Sequence, residues 1–182
     1  LEADPADKEL LNQLFRALHT VKGDARIINF GPMVDFAHVV ESIIEFIREG
    51  TFKFDSQLSE IILLSGDRIL QMARDLGATG KCKIADLHPV RQEMELLILN
   101  GPARLSQYCP RVTGMLRGKS VNELKEAAND SNVFVLKEGF DDLVDFLDEV
   151  ENKHQVVEEA LLNLEYDPDN HELLNEVFRA LH

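Results

Sequence analysis

Apolar residues recur at spacings of three and four through the first 77 residues, and this pattern constrains the fold more than any other feature of the chain. Such spacing places apolar side chains along one face of an α-helix. Three stretches carry it, 6–29, 31–50 and 55–77, and glycine or proline residues mark their ends. We therefore predict an all-α fold built on antiparallel amphipathic helices that are joined by short loops.

The remaining residues are also predicted to be mostly helical. A linker at 78–88 precedes shorter helical stretches at 90–99, 103–117 and 120–128, and a long acidic helix is predicted over 136–165. Residues 133–136 (VFVL) have strand-like composition. Because a single strand has no pairing partner in this pattern, we interpret them as the start of a helix.

Composition narrows the classes of partner and site. The chain has 19 basic and 33 acidic residues, a net charge of −14, so we expect neither nucleic acid nor an anionic membrane surface as partner. No apolar run approaches the ~18 residues of a spanning helix, and we expect a cytoplasmic location. Cys82 and Cys109 lack the CxxC spacing of a structural zinc site, and we predict no bound metal.

An internal repeat links the two ends of the chain. Residues 1–19 (LEADPADKELLNQLFRALH) align without gaps on 164–182 (LEYDPDNHELLNEVFRALH), and 13 of the 19 positions are identical. We interpret these segments as parts of two copies of one module. The chain is accordingly expected to come from a tandem array.

The candidate site lies at the end of the repeated segment. His19 and Lys22 are three residues apart on a predicted helix, so they share a face, and Gly23 leaves bare backbone beside the imidazole. His38 and Glu41 share a face of the next helix. A histidine beside a cation suits transient attachment of a phosphoryl group, and Glu41 is placed to fix the tautomer of His19.

The string LFRALHTVKG (residues 14–23), with Phe30, His38 and Glu41 downstream, resembles the histidine phosphotransfer (HPt) domain, most closely that of CheA-type chemotaxis kinases. The resemblance implies an antiparallel four-helix bundle in which His19 is the phosphoacceptor and Glu41 polarises its imidazole. It also implies that Lys22 and His38 flank the phosphoryl group. Residues assigned to partner access are Gly23, Arg16 and Arg26. The sequence departs from the family at Asp24-Ala25-Arg26, where many relatives carry small residues.

The function implied by this resemblance is a two-component phosphorelay. His19 receives a phosphoryl group and passes it to an aspartate of a response-regulator receiver, which supplies Mg²⁺. The partners are then a receiver and the catalytic domain of a histidine kinase, and the chain is a phosphocarrier without an ATP site or a cofactor. Two alternatives stay open: the substrate region of a larger CheA-like kinase, and an HPt-fold scaffold that is not phosphorylated.

The domain organisation follows from the repeat and the resemblance. We predict an HPt module at 1–82, a helical linker of unknown role at 83–135, and the first half of a second module at 136–182. The first helix of the family is missing from 1–82 or is supplied by 136–165, within the chain or through a homo-dimer. His182 occupies the second acceptor position, and we predict that it is inactive here because its lysine and glycine are absent.

Overall fold

The computed structural model describes residues 5–118, 133–136 and 143–164. Within these residues the chain forms helices joined by short loops, with two short strands and one 3₁₀ turn at Pro102–Arg104. The helices are α1 (Pro5–Ile27), α2 (Gly31–Arg48), α3 (Ser56–Thr79), α4 (Leu87–Asn100), α5 (Leu105–Leu116) and α6 (Leu143–Leu164), and the strands are β1 (Lys81–Lys83) and β2 (Val133–Val135). The predicted all-α class is confirmed.

Local sequence signals set the ends of the bundle helices. Pro32 lies in the first turn of α2, where its missing N–H costs no helical hydrogen bond. Asp55 caps α3 by accepting a hydrogen bond of 2.9 Å from the backbone N–H of Leu58. Helix α3 continues past Gly77, its predicted end, to Thr79. It ends there because Gly80 adopts the left-handed conformation, with φ +65°.

Four helices enclose the main core. Helix α2 packs against α1 and α3, and α6 packs between α3 and α1, which closes a four-helix bundle. The core side chains of α6 are Phe146, Val150, Val157, Ala160 and Leu161. Gly77 permits a close approach of α3 to α6, because a Cβ atom at this position would overlap the side chain of Leu147.

The two strands correct one prediction. Residues Val133–Val135 were expected to begin a helix, but they form β2 and pair antiparallel with Lys81–Lys83, inside the stretch interpreted as a linker. Phe134 stacks on the buried ring of Phe30 with centroids 4.3 Å apart. The expectation was wrong because the pairing partner lies about 50 residues upstream, where the local pattern gives no signal for a strand.

Helices α4 and α5, which lie between α3 and α6 in sequence, pack on the outside of the bundle. Helix α4 packs against α2 and α5, and α5 packs against α3. Arg91 on α4 joins Asp35 on α2 through a salt bridge of 2.9 Å. Both cysteines, Cys82 and Cys109, are buried with free thiols, and burial raises the pKa of each to about 11, which makes them unreactive as nucleophiles.

The predictions for the helix at 120–128 and for His182 lie outside the described residues. None of the described helices combines the length and the apolar character needed to cross a membrane.

Candidate functional site

His19 and Glu41 meet where α1 packs against α2. The Nδ1 atom of His19 lies 2.6 Å from Oε1 of Glu41. The side chain of His19 is 64% exposed and that of Glu41 is 7% exposed, so the bond joins a surface imidazole to a buried carboxylate. A carboxylate only accepts hydrogen bonds, and therefore the proton of the neutral ring lies on Nδ1 and the lone pair on Nε2.

Glu41 is held in its ionised form. Burial alone would raise its pKa, but the hydrogen bonds from Lys22 and His19 outweigh burial, and the pKa of Glu41 is lowered from the ordinary value of 4.5. Its second oxygen, Oε2, accepts a hydrogen bond from Nζ of Lys22. Both carboxylate oxygens are therefore occupied by residues of α1.

Lys22 is buried, although its side chain is charged. The residue is 8% exposed and its ammonium donates to Glu41, one turn along α1 from His19. The lysine therefore compensates the buried charge of Glu41. Its contact with a phosphoryl group, which the resemblance implies, stays a prediction.

Two residues that were not predicted as site residues, Phe15 and Arg48, extend the surroundings of His19. The ring of Phe15 stacks on the imidazole with centroids 6.0 Å apart and an interplanar angle of 18°. Cζ of Arg48, at the end of α2, lies 4.6 Å from the centroid of Phe15. The four-residue spacing of Phe15 and His19 signals the stacking, whereas the position of Arg48 depends on how α2 packs.

The other predicted site residues lie at the protein surface. His38, Arg16 and Arg26 are exposed. Gly23 lies four residues after His19, and a Cβ atom added there would meet nothing within 4 Å. The space beside Gly23 is therefore open.

Asp24 faces away from His19. It is five residues further along α1, which rotates it by about 140° around the helix axis. It lines a cavity of about 340 Å³ together with Asp145 and Glu149 of α6. Burial and the nearby Glu149 raise the pKa of Asp24 above its ordinary value of 3.8, and Lys153 offsets only part of this.

We expect Asp24→Asn to raise the midpoint of thermal unfolding at pH 7. Because the pKa of Asp24 is raised in the folded chain, its ionised form destabilises the fold, and this cost disappears as the pH falls below 3.8. The gain should therefore shrink between pH 7 and pH 3.5 in circular-dichroism melts of both chains. An equal gain at both pH values would assign the effect to something other than charge.

Comparison with known proteins finds a family match for part of this chain. Residues 1–79 match the family model described as "Hpt domain". Chemotaxis protein CheA of Borreliella burgdorferi is 29% identical over 99 residues, which cover 54% of this chain and 11% of that protein. Chemotaxis protein CheA of Treponema pallidum is 30% identical over 125 residues, covering 67% of this chain and 14% of that protein. No solved structure matches the chain.

A third relative, sensor histidine kinase CheAY of Helicobacter pylori, is 32% identical over 81 residues, which cover 43% of this chain and 10% of that protein. The chain thus spans only about a tenth to a seventh of the length of these relatives. The family match takes in all of α1, α2 and α3, including His19 and Glu41. These matches support an Hpt domain of the CheA type in residues 1–79.

Proposed function

We propose that this chain is a phosphocarrier in which Nε2 of His19 accepts a phosphoryl group and passes it to an aspartate of a response-regulator receiver. The observation that carries the proposal is the 2.6 Å hydrogen bond between Nδ1 of exposed His19 and buried Glu41. It leaves the lone pair on the nitrogen that is not bonded to Glu41. A nucleophile held in this way needs no further proton transfer before it attacks.

The imidazole of His19 is the nucleophile in the proposed transfer step. The Nε2 lone pair of His19 forms a bond to phosphorus while the bond from phosphorus to the donor oxygen breaks, and that oxygen leaves with its electron pair. The Nδ1 proton stays in place, so the ring becomes a cation as the nitrogen–phosphorus bond forms. The carboxylate of Glu41 faces this positive charge and stabilises it.

Transfer of the phosphoryl group from His19 to the receiver reverses these changes on the imidazole. An aspartate oxygen of the receiver attacks the phosphorus, the nitrogen–phosphorus bond breaks, and the electron pair returns to Nε2. The acidic pocket and the Mg²⁺ that the step requires belong to the receiver in this proposal. His19 and Glu41 then recover their starting state without a change in protonation.

The empty space beside Gly23 predicts that a partner approaches His19 at this position. Gly23→Ala should keep or raise stability, by up to about 1 kcal/mol, because the helix gains propensity and the added methyl meets nothing. Gly23→Phe should also fold but should slow transfer by about tenfold or more, since its ring blocks approach to His19. Transfer rates from a phosphorylated receiver measure the effect.

The same substitution at exposed Gln13 on α1 is the control for Gly23→Phe, and we expect it to leave transfer unchanged. Equal rates for Gly23→Phe and the wild type would exclude a partner contact at this position.

A second candidate is the substrate region of a larger CheA-like kinase. The observation that favours it is that the relatives are two CheA proteins and the sensor histidine kinase CheAY, of which this chain spans only 10–14%. The donor is then the ATP of a kinase catalytic domain rather than a phosphorylated receiver, and the chemistry at His19 is the same.

Phosphotransfer to the full chain tests both candidates. The chain is incubated with a panel of labelled donors, made of phosphorylated receivers and of CheA-type kinase cores with ATP. A label that is stable in base and labile in acid identifies phosphohistidine, and the most efficient donor distinguishes relay from kinase substrate. No label from any donor, in a chain that circular dichroism shows to be folded, would favour the scaffold alternative.

The position of α6 supports a proposal for the domain organisation. We propose that 1–82 with α6 forms one complete module, in which α6 takes the place of the family's first helix. The buried α6 residues Phe146, Val150 and Leu161 support this, since they contribute to the core with α1 and α3. Residue 164, at the end of α6, is where the second copy of the repeat begins.

The molecular mass in solution tests how α6 reaches the bundle. Docking within one chain predicts 20.6 kDa by light scattering, whereas exchange of α6 between two chains predicts twice that mass. The structure has α6 docked within the chain, and we therefore expect the monomer. A stable dimer at micromolar concentration would contradict this expectation.

A further inference from the structure

A second histidine site lies where α6 packs against α3. Nε2 of His154 on α6 is 2.8 Å from Oδ1 of Asp67 on α3, and its Nδ1 is 3.6 Å from Oε2 of Glu158, one turn along α6. The His154 side chain is 10% exposed, while those of Asp67 and Glu158 are 40% and 31% exposed. The imidazole is thus held in the interface and the carboxylates reach solvent.

We propose that Asp67, His154 and Glu158 form a binding site for a divalent transition-metal ion, with Zn²⁺ as the probe. One potential ligand atom from each residue lies within 4.8 Å of the other two. One imidazole nitrogen and two carboxylate oxygens are a donor set that suits Zn²⁺. Asp67 contacts Nε2 of His154 and Glu158 faces Nδ1, so one carboxylate must rotate toward the ring nitrogen that binds the ion. Both carboxylates are partly exposed, and bonds to Zn²⁺ are about 2.0–2.2 Å long.

The packing around His154 makes the site preorganised. The ring lies against Gly66, where an added Cβ would be 3.5 Å from Cδ2 of His154, and beside Val157 in the core. Its orientation is therefore set by the contact between α3 and α6 before any ion binds. The open side, formed by Asp67 and Glu158, gives an ion a path of entry and leaves room for water ligands.

Metal binding at this position links two helices that are distant in sequence. Asp67 belongs to α3, and His154 and Glu158 belong to α6, so the ion binds only when α6 is docked. The site therefore stabilises docked α6 by mass action. Because α6 also packs against α1, the helix that carries His19, the same ion reinforces the scaffold of the phosphoacceptor.

Calorimetric titration of the full, tag-free chain with ZnCl₂ tests the proposal. We expect one site that Asp67→Asn and Glu158→Gln each weaken by about tenfold or more, since each variant replaces a charged ligand with a neutral isostere. Glu159→Gln is the matched control, because it removes the same charge from the exposed neighbouring residue of α6. It should bind Zn²⁺ like the wild type.

Hydrogen exchange supplies a readout that is independent of phosphotransfer. Zn²⁺ should slow amide exchange throughout α6 in the wild type and in Glu159→Gln, but not in Asp67→Asn. Unchanged Zn²⁺ affinity in Asp67→Asn and Glu158→Gln, or exchange in α6 that does not respond to Zn²⁺, would overturn the proposal. The carboxamide variants preserve side-chain volume, and circular-dichroism spectra of each variant serve to check that it folds.

Discussion

His19→Gln should abolish labelling of the chain by every phosphoryl donor. Glutamine has no nitrogen lone pair comparable to that of imidazole Nε2, so no nitrogen–phosphorus bond forms. The fold should not suffer, because the His19 side chain is 64% exposed and exposed substitutions change stability by about 0.5 kcal/mol or less. Glutamine also has an amide N–H that can donate to Glu41. The measurement is acid-labile, base-stable label on the full chain.

The control is His88→Gln, an exposed histidine on α4, which should keep full labelling. Label that survives His19→Gln but disappears with His182→Gln would show that the second copy is an acceptor in this chain. That result would contradict both the assignment of His19 and the predicted inactivity of His182.

Glu41→Gln should destabilise the chain by about 3 kcal/mol and slow phosphotransfer roughly 10- to 100-fold. The stability loss follows because the buried ammonium of Lys22 loses its anionic partner. The rate loss follows because the imidazolium formed during transfer no longer faces a carboxylate. Urea unfolding and transfer rates, measured on the same preparation, separate the two effects.

The stability difference between the wild type and Glu41→Gln should depend on pH in a predictable direction. The pKa of Glu41 is lowered in the folded chain, so its stabilising contribution is complete above the ordinary value of 4.5 and is lost as the pH falls through the lower folded value. The stability gap between the wild type and Glu41→Gln should therefore narrow at pH values below 4.5. A gap that is constant down to pH 3 would contradict an ionised Glu41.

The double variant Lys22→Met with Glu41→Gln is the matched control. Methionine occupies the volume of the lysine stem without its charge, so most of the lost stability should return. Transfer should stay slow, because Glu41 is still missing. Recovery of both properties would mean that Glu41 acts on transfer only through the fold.

Local signals predicted the existence of α1, α2 and α3 because those signals act within a few residues. The apolar spacing in 6–29 and 31–50 and the cap at Asp55 correspond to α1, α2 and the start of α3. The end of α3 was placed at Gly77 instead of Thr79. Both Gly77 and Gly80 suit a helix end, and packing against Leu147 decides which of them stays helical.

Some features of the candidate site follow from the periodicity of a single helix, and others depend on how two helices pack. That His19 and Lys22 share a face of α1 follows from helical periodicity alone. The burial of Lys22 against Glu41 and the position of Arg48 over Phe15 depend on the contact between α1 and α2. No spacing within one helix carries that information, because the residues involved come from different helices.

The helical class, the repeated segment and the motif that carries His19 can be read from the order of residues, since periodicity, identity and residue type are local properties of a chain. The pairing of Val133–Val135 with Lys81–Lys83 and the docking of α6 between α1 and α3 became visible in the folded structure alone. Both contacts join segments more than 45 residues apart in sequence, so no local pattern indicates them. Their free energy comes from surfaces that exist only once the helices have packed.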